Sequence, residues 1–252
     1  MRFVGMMLGF LLLGLLGHAS QAEAQASRCA DCHFANPETI PAPDHLHDWD
    51  RSPHRRGNVG CDSCHGGDAS TFESSLAHRG ILSGGNPASP THRQNIPRTC
   101  GTCHPGPFTN YQQSQHFELL NGGDRQVPVC ITCHGNVAAN LLSPSALERR
   151  CDRCHGEDGI APRPGRAADA RALMEGAADV RESLDAASRL IERIRDPSRR
   201  AQLEETYNQA EVPLIQARQA GHRFVFDALE ERLGVARQRA ADLLGSLVNP
   251  DQ

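Results

Sequence analysis

Cys29-Ala30-Asp31-Cys32-His33 is the first of five frames that share one spacing. The others are Cys61-Asp62-Ser63-Cys64-His65, Cys100-Gly101-Thr102-Cys103-His104, Cys130-Ile131-Thr132-Cys133-His134 and Cys151-Asp152-Arg153-Cys154-His155. Together they use all 10 cysteines of the chain. Thiols at i and i+3 project from one side of a helical turn, and the next residue sets an imidazole beside them. This is the attachment pattern of c-type haem. The two thiols bond the vinyl groups of one porphyrin, and the His is the proximal ligand of its iron. A disulfide framework has no reason to place His after every second Cys, and zinc sites built on Cys-x-x-Cys do not require it. The frames therefore predict five covalently bound groups of haem c, with His33, His65, His104, His134 and His155 as proximal ligands.

Composition agrees with an interior made of something other than side chains. Of 252 residues only 4% are aromatic, while 13 are His. All five frames fall between residues 27 and 160, a stretch too short to bury five porphyrins separately. Gly and Pro are frequent there (Pro41, Pro43, Gly66, Gly67, Gly84, Gly85, Pro105, Pro107, Gly122, Gly123) and hydrophobic periodicity is weak. The expected fold is mainly α with much irregular structure, a haem-cored domain whose short helices sit at the Cys-x-x-Cys-His turns and near Ser114 to Leu120. The net charge of −4 excludes a nucleic-acid binder held by a basic footprint.

The N-terminus sets the compartment. Arg2, an apolar run from Phe3 to Leu16, and small residues up to Ala26 read as an export signal, with A-x-A spacing at Ala22/Ala24 or Ala24/Ala26. The run is shorter than the roughly 20 residues of an ordinary membrane anchor. The expectation is cleavage of residues 1–26, a periplasmic location and no stable membrane insertion.

The sixth iron ligand separates electron carriage from catalysis, because only an open position can bind a substrate. Methionine is nearly excluded: Met1, Met6 and Met7 lie in the signal and Met174 in a helical tail. Lysine is absent, so all 26 basic residues are Arg. Distal ligands should therefore be His. His54 and His116 share a Ser-x-His context with Ser52 and Ser114, and His78 follows Leu76-Ala77 before a turn-rich loop. One of His45 and His47, ahead of Trp49, is a further candidate, with His47 preferred. His92, in a Pro-flanked loop, is either a further candidate ligand or simply an exposed residue.

Gly156 to Ala167 reads as a linker, and beyond it the pattern changes. Leu173, Ala177, Val180, Leu184, Ala187, Ile191 and Ile194 form the seam of a packed helix. Asp196-Pro197-Ser198 starts another, with Leu203, Tyr207, Ala210, Leu214 and Ala217. The seam resumes out of phase through His222, Phe226, Leu229, Leu233, Ala236, Ala240, Leu243 and Leu247, which predicts a kink near Pro213 and Gly221. The tail, residues 161–252, is expected to be an antiparallel helical hairpin behind a haem domain of residues 27–160. His222 lies on its seam, either as a core histidine or, if the hairpin folds back, as a fifth distal ligand.

Trp49 to His65 and Gly66-Gly67-Asp68, together with Ala77-His78, Ile96-Pro97, Tyr111, Ser114, His116 and Cys130 to Gly135, resemble exported multihaem cytochromes c. The hydroxylamine-oxidoreductase-like and NapC/NirT-like groups are the most similar, and the tail resembles the C-terminal helices of the former. The resemblance implies stacked haem pairs, with His54, His78 and His116 as distal ligands, often to a haem other than the nearest in sequence. The chain departs from the pattern at Gly135-Asn136-Val137, which lacks a His often found there. The expected function is electron transfer between redox partner proteins. The competing expectations are a small reductase of a nitrogen or sulfur oxyanion at one open haem, and an electron-transfer subunit of a larger complex.

Overall fold

The computed structural model describes residues 27–40 and 43–248. The expected export signal lies outside the described residues. Among those residues there are helices and irregular segments and no strand, as the sequence leads one to expect.

The haem-domain helices are short and start where the local chemistry starts them. The first motif lies in α1 (Arg28–Ala35), followed by a single 3-10 turn at Pro37–Thr39. Next come α2 (Pro43–Arg51), α3 (Pro53–Arg56), α4 (Asp62–His65) and α5 (Ser74–Ala77). Then follow α6 (Ile96–Gly101), α7 (Pro105–Tyr111), α8 (Gln115–Asn121), α9 (Cys130–His134) and α10 (Pro144–His155). Ser52 and Ser114 cap α3 and α8: the Ser52 Oγ accepts from Arg55 N at 3.2 Å, and the Ser114 Oγ from Phe117 N at 3.2 Å. Gly66 and Gly135 follow motif histidines with φ of +75° and +71° and extended ψ. That region is open essentially only to glycine, and it turns the chain away directly after the imidazole.

Apolar burial is thin in this half. Ala30, Leu46 and Trp49 form one small cluster, and Ile96, Tyr111, Leu120, Val127 and Val129 another. Polar ties hold these pieces together. Trp49 Nε1 donates to Val59 O at 2.9 Å, Tyr111 Oη to Pro128 O at 2.6 Å, and Arg93 Nη2 to Val127 O at 2.6 Å.

The tail is three helices: α11 (Arg166–Ile191), α12 (Pro197–His222) and α13 (Phe226–Val248). Its core is Val180, Leu184, Ala187, Ile191, Ala210, Leu214, Ala217, Leu233, Ala236, Ala240 and Leu243, every one on the expected seam. The hairpin gains a third arm because the chain reverses at residues 223–225 instead of kinking. Pro213 leaves α12 unbroken. A proline there cannot bond the carbonyl of Gln209, and Arg239 Nη1 of α13 donates to that oxygen instead, at 2.9 Å. Short connections make α11–α12 and α12–α13 antiparallel, so the start of α11, the end of α12 and the start of α13 share one end. Arg166 lies over the Phe226 ring there, at 4.8 Å.

Candidate functional site

Each of the five motif histidines faces a second histidine from elsewhere in the chain. The ring centroids are 5.9 Å apart for His33–His78, 6.1 Å for His45–His65 and 6.2 Å for His54–His104. They are 6.2 Å apart for His134–His222 and 6.0 Å for His116–His155. These distances fit a metal held between the two rings of each pair. Two metal–nitrogen bonds of about 2 Å end to end, plus the distance from ring centre to nitrogen at each side, span about 6 Å.

For four of these rings, hydrogen bonds select the nitrogen left free to bind a metal. His222 Nδ1 donates to Arg218 O at 2.7 Å, His155 Nδ1 to Ala161 O at 2.8 Å, and His78 Nδ1 to Ser74 O at 2.9 Å. His33 Nδ1 lies 3.1 Å from Thr39 Oγ1, whose own proton goes to Asn36 O. A donating Nδ1 leaves Nε2 with its lone pair, the tautomer of a metal-ligating imidazole. Burial keeps several of these rings neutral. It lowers the pKa of His116 to about 4, with His155 and then Arg163 adding to the effect. Burial first, and the facing histidine second, also lower those of His33, His65 and His134.

The thiols show the order of the sites. Cys61 lies near Cys29, and burial with that neighbour raises its pKa. Cys64 lies near Cys100 and Cys103, Cys100 near Cys130, and Cys133 near Cys151. Motifs consecutive in sequence are thus neighbours in space. All ten cysteines are free of disulfides. Five imidazole pairs, each with two thiols beside one member, therefore fit five covalently attached haems.

Two expectations at this level change. His45, not His47, stands opposite His65, and the His47 ring lies against Phe34 at 5.6 Å. On α2, His45 is four residues before the buried Trp49 and shares its face, whereas His47 points away. His92 is buried, not exposed. Its Nδ1 accepts from Gln94 N at 3.4 Å, and it faces no motif histidine. Phe224 is a residue the sequence reading passed over: its ring meets that of His116 edge-on, with centroids 4.3 Å apart. No turn residue marks it, since no Gly, Asn or Asp stands at this left-handed position (φ +59°).

Residues 87–156 match the family model of cytochrome c7 and related cytochrome c, and residues 16–66 that of cytochrome c554 and c-prime. The kinship is with multihaem c-type cytochromes. The C-type polyheme cytochrome OmcC of Geobacter sulfurreducens is 26% identical over 143 residues, 57% of this chain but 16% of that protein. No solved structure matches. Both matched segments carry Cys-x-x-Cys-His motifs, and neither reaches α11 to α13.

Proposed function

We propose that the chain is a periplasmic electron carrier holding five haem c groups, each between two histidines. The five facing histidine pairs carry this reading. In it Cys29/Cys32, Cys61/Cys64, Cys100/Cys103, Cys130/Cys133 and Cys151/Cys154 attach the groups. The ligand pairs are His33 with His78, His65 with His45, His104 with His54, His134 with His222, and His155 with His116. Bound there, haem c supplies a one-electron ferric–ferrous couple at each site. The chain orients the imidazoles of His33, His78, His155 and His222 through Nδ1 hydrogen bonds, and its consecutive motifs keep the sites adjacent. With a histidine on both sides of every site, no position stays open for a substrate. Electron-donor and electron-acceptor proteins are the partners this implies.

Division into residues 1–26, 27–160 and 161–252, with export and cleavage of the first, belongs to the same proposal. No described helix is long and apolar enough to cross a membrane. A kinship with the hydroxylamine-oxidoreductase-like or NapC/NirT-like groups rests on the Trp49–His65 and Ala77–Gly135 motifs.

The test is a pyridine haemochrome count together with low-temperature paramagnetic resonance of the oxidised protein. The expected result is five haems, all low-spin. Near-perpendicular imidazole planes leave two iron d orbitals almost degenerate and give a strongly anisotropic signal, whereas parallel planes give a rhombic one. The His33–His78 and His45–His65 rings stand at 77° and 76°, and the His134–His222 rings at 5°. Both signal types should therefore appear. Fewer than five haems, or a high-spin haem whose spectrum shifts with nitrite, hydroxylamine or cyanide, would overturn the carrier.

A further inference from the structure

The turn between α12 and α13 reaches two sites at once. His222 faces His134 of the fourth motif, and two residues later Phe224 packs on His116, which faces His155 of the fifth. Between them stands Arg223. Its Nε is buried and has no hydrogen-bond partner among the described residues. It takes part in none of the ion pairs found there. A guanidinium nitrogen taken out of water without an acceptor is costly, and a guanidinium presents a planar fork matched to a carboxylate. The turn is also held against local preference, because Phe224 is a bulky residue in the left-handed region. A flexible loop would relax both features; this one keeps them next to two haem sites.

We propose that Arg223 holds a propionate carboxylate of the haem at the fourth or the fifth motif and raises the reduction potential of that haem. The inference rests on the five-haem reading. Each haem carries two propionates, and Arg223 stands in the chain between the residue that faces His134 and the one that packs on His116. A fixed positive charge beside a propionate offsets the carboxylate and favours the ferrous state, which carries one positive charge fewer than the ferric.

The experiment is a potentiometric titration of the whole exported protein with dithionite and mediators, followed by paramagnetic resonance, for the wild type, Arg223→Gln and Arg223→Lys. With R223Q one couple should shift to lower potential by about a tenfold change in its ferric–ferrous ratio, ~59 mV for one electron, while the other four stay in place. R223K, which keeps the charge, should retain most of the wild-type value. Loss of intensity at a new potential in the rhombic signal of the parallel His134–His222 pair assigns the haem to the fourth motif. The same change in the signal of the His116–His155 pair, whose rings stand at 49°, assigns it to the fifth. Unchanged potentials in R223Q that still carries five low-spin haems would overturn the proposal and leave the carrier reading intact. So would R223K shifting as far as R223Q, which would make Arg223 a packing residue. If R223Q does not accumulate with five haems, R223K decides alone: a wild-type-like potential supports the charge, and a full shift overturns it. A wild type without five haems would remove the proposal together with the reading beneath it.

Discussion

His45 and His47 stand two positions apart on α2 and meet different fates, because successive turns of a helix repeat every 3.6 residues. A step of two puts them on opposite sides, and only His45 shares the face of the buried Leu46–Trp49 edge well enough to reach His65. Replacing His45 by Ala should convert one low-spin haem to high-spin, visible in paramagnetic resonance and in the absorption spectrum. Replacing His47 by Ala should leave all five low-spin, since its ring only packs on Phe34. The reverse pattern would exchange their roles. The motif histidines stand out in the sequence because a Cys-x-x-Cys-His frame is local, and His54 and His116 because Ser-x-His is local too. The pairing of each with its partner does not. His54 faces His104 and His116 faces His155 across loops whose course no short-range pattern encodes.

The Ser-x-His recurrence is an element-scale device. Ser52 and Ser114 are N-caps, so the histidine two residues on always occupies the second position of a short helix. Both serines are almost completely buried, and Ser114 Oγ also donates to Tyr111 O at 2.7 Å. Ser114→Ala removes the cap and leaves the Tyr111 carbonyl with the backbone N–H of residue 114 alone. It should lower the stability of the protein by about 1 kcal/mol in a denaturant titration, and it should broaden or shift the resonance signal of the His116–His155 site alone. An unchanged midpoint would mean that α8 is held by its packing against Tyr111 and not by its cap. The tail shows the same balance of local signal and distant override. All of its core positions followed from the seam, because helix periodicity survives in any packed bundle. The third arm followed only in part: of the two expected break points, Pro213 is rescued by Arg239 from another helix, while the chain reverses at residues 223–225, just past Gly221.

At the scale of the whole molecule the two halves solve the problem of an interior in different ways. Residues 166–248 bury aliphatic side chains in one continuous core, while residues 27–160 bury few and hold them in two small clusters. The halves meet where the bundle end touches the fourth and fifth motifs, through His222 opposite His134, Phe224 on His116, and an Arg171–Glu148 ion pair at 3.1 Å. The exposed ion pair contributes little by itself, and Phe224 remains partly exposed. α10 also packs along α11, and in the five-haem proposal ligation by His222 adds a second tie at the end of α12. His222→Ala should keep all five haems, since attachment depends on cysteine, and should turn one of them high-spin with loss of the rhombic signal from the parallel pair. The same variant should speed limited proteolysis between residues 156 and 165, because a bundle no longer held through the end of α12 can swing away from α10. High-spin conversion without faster cleavage would show that α10 and α11 hold the bundle in place unaided. Neither change would mean that the tail stands beside the fourth site without completing it.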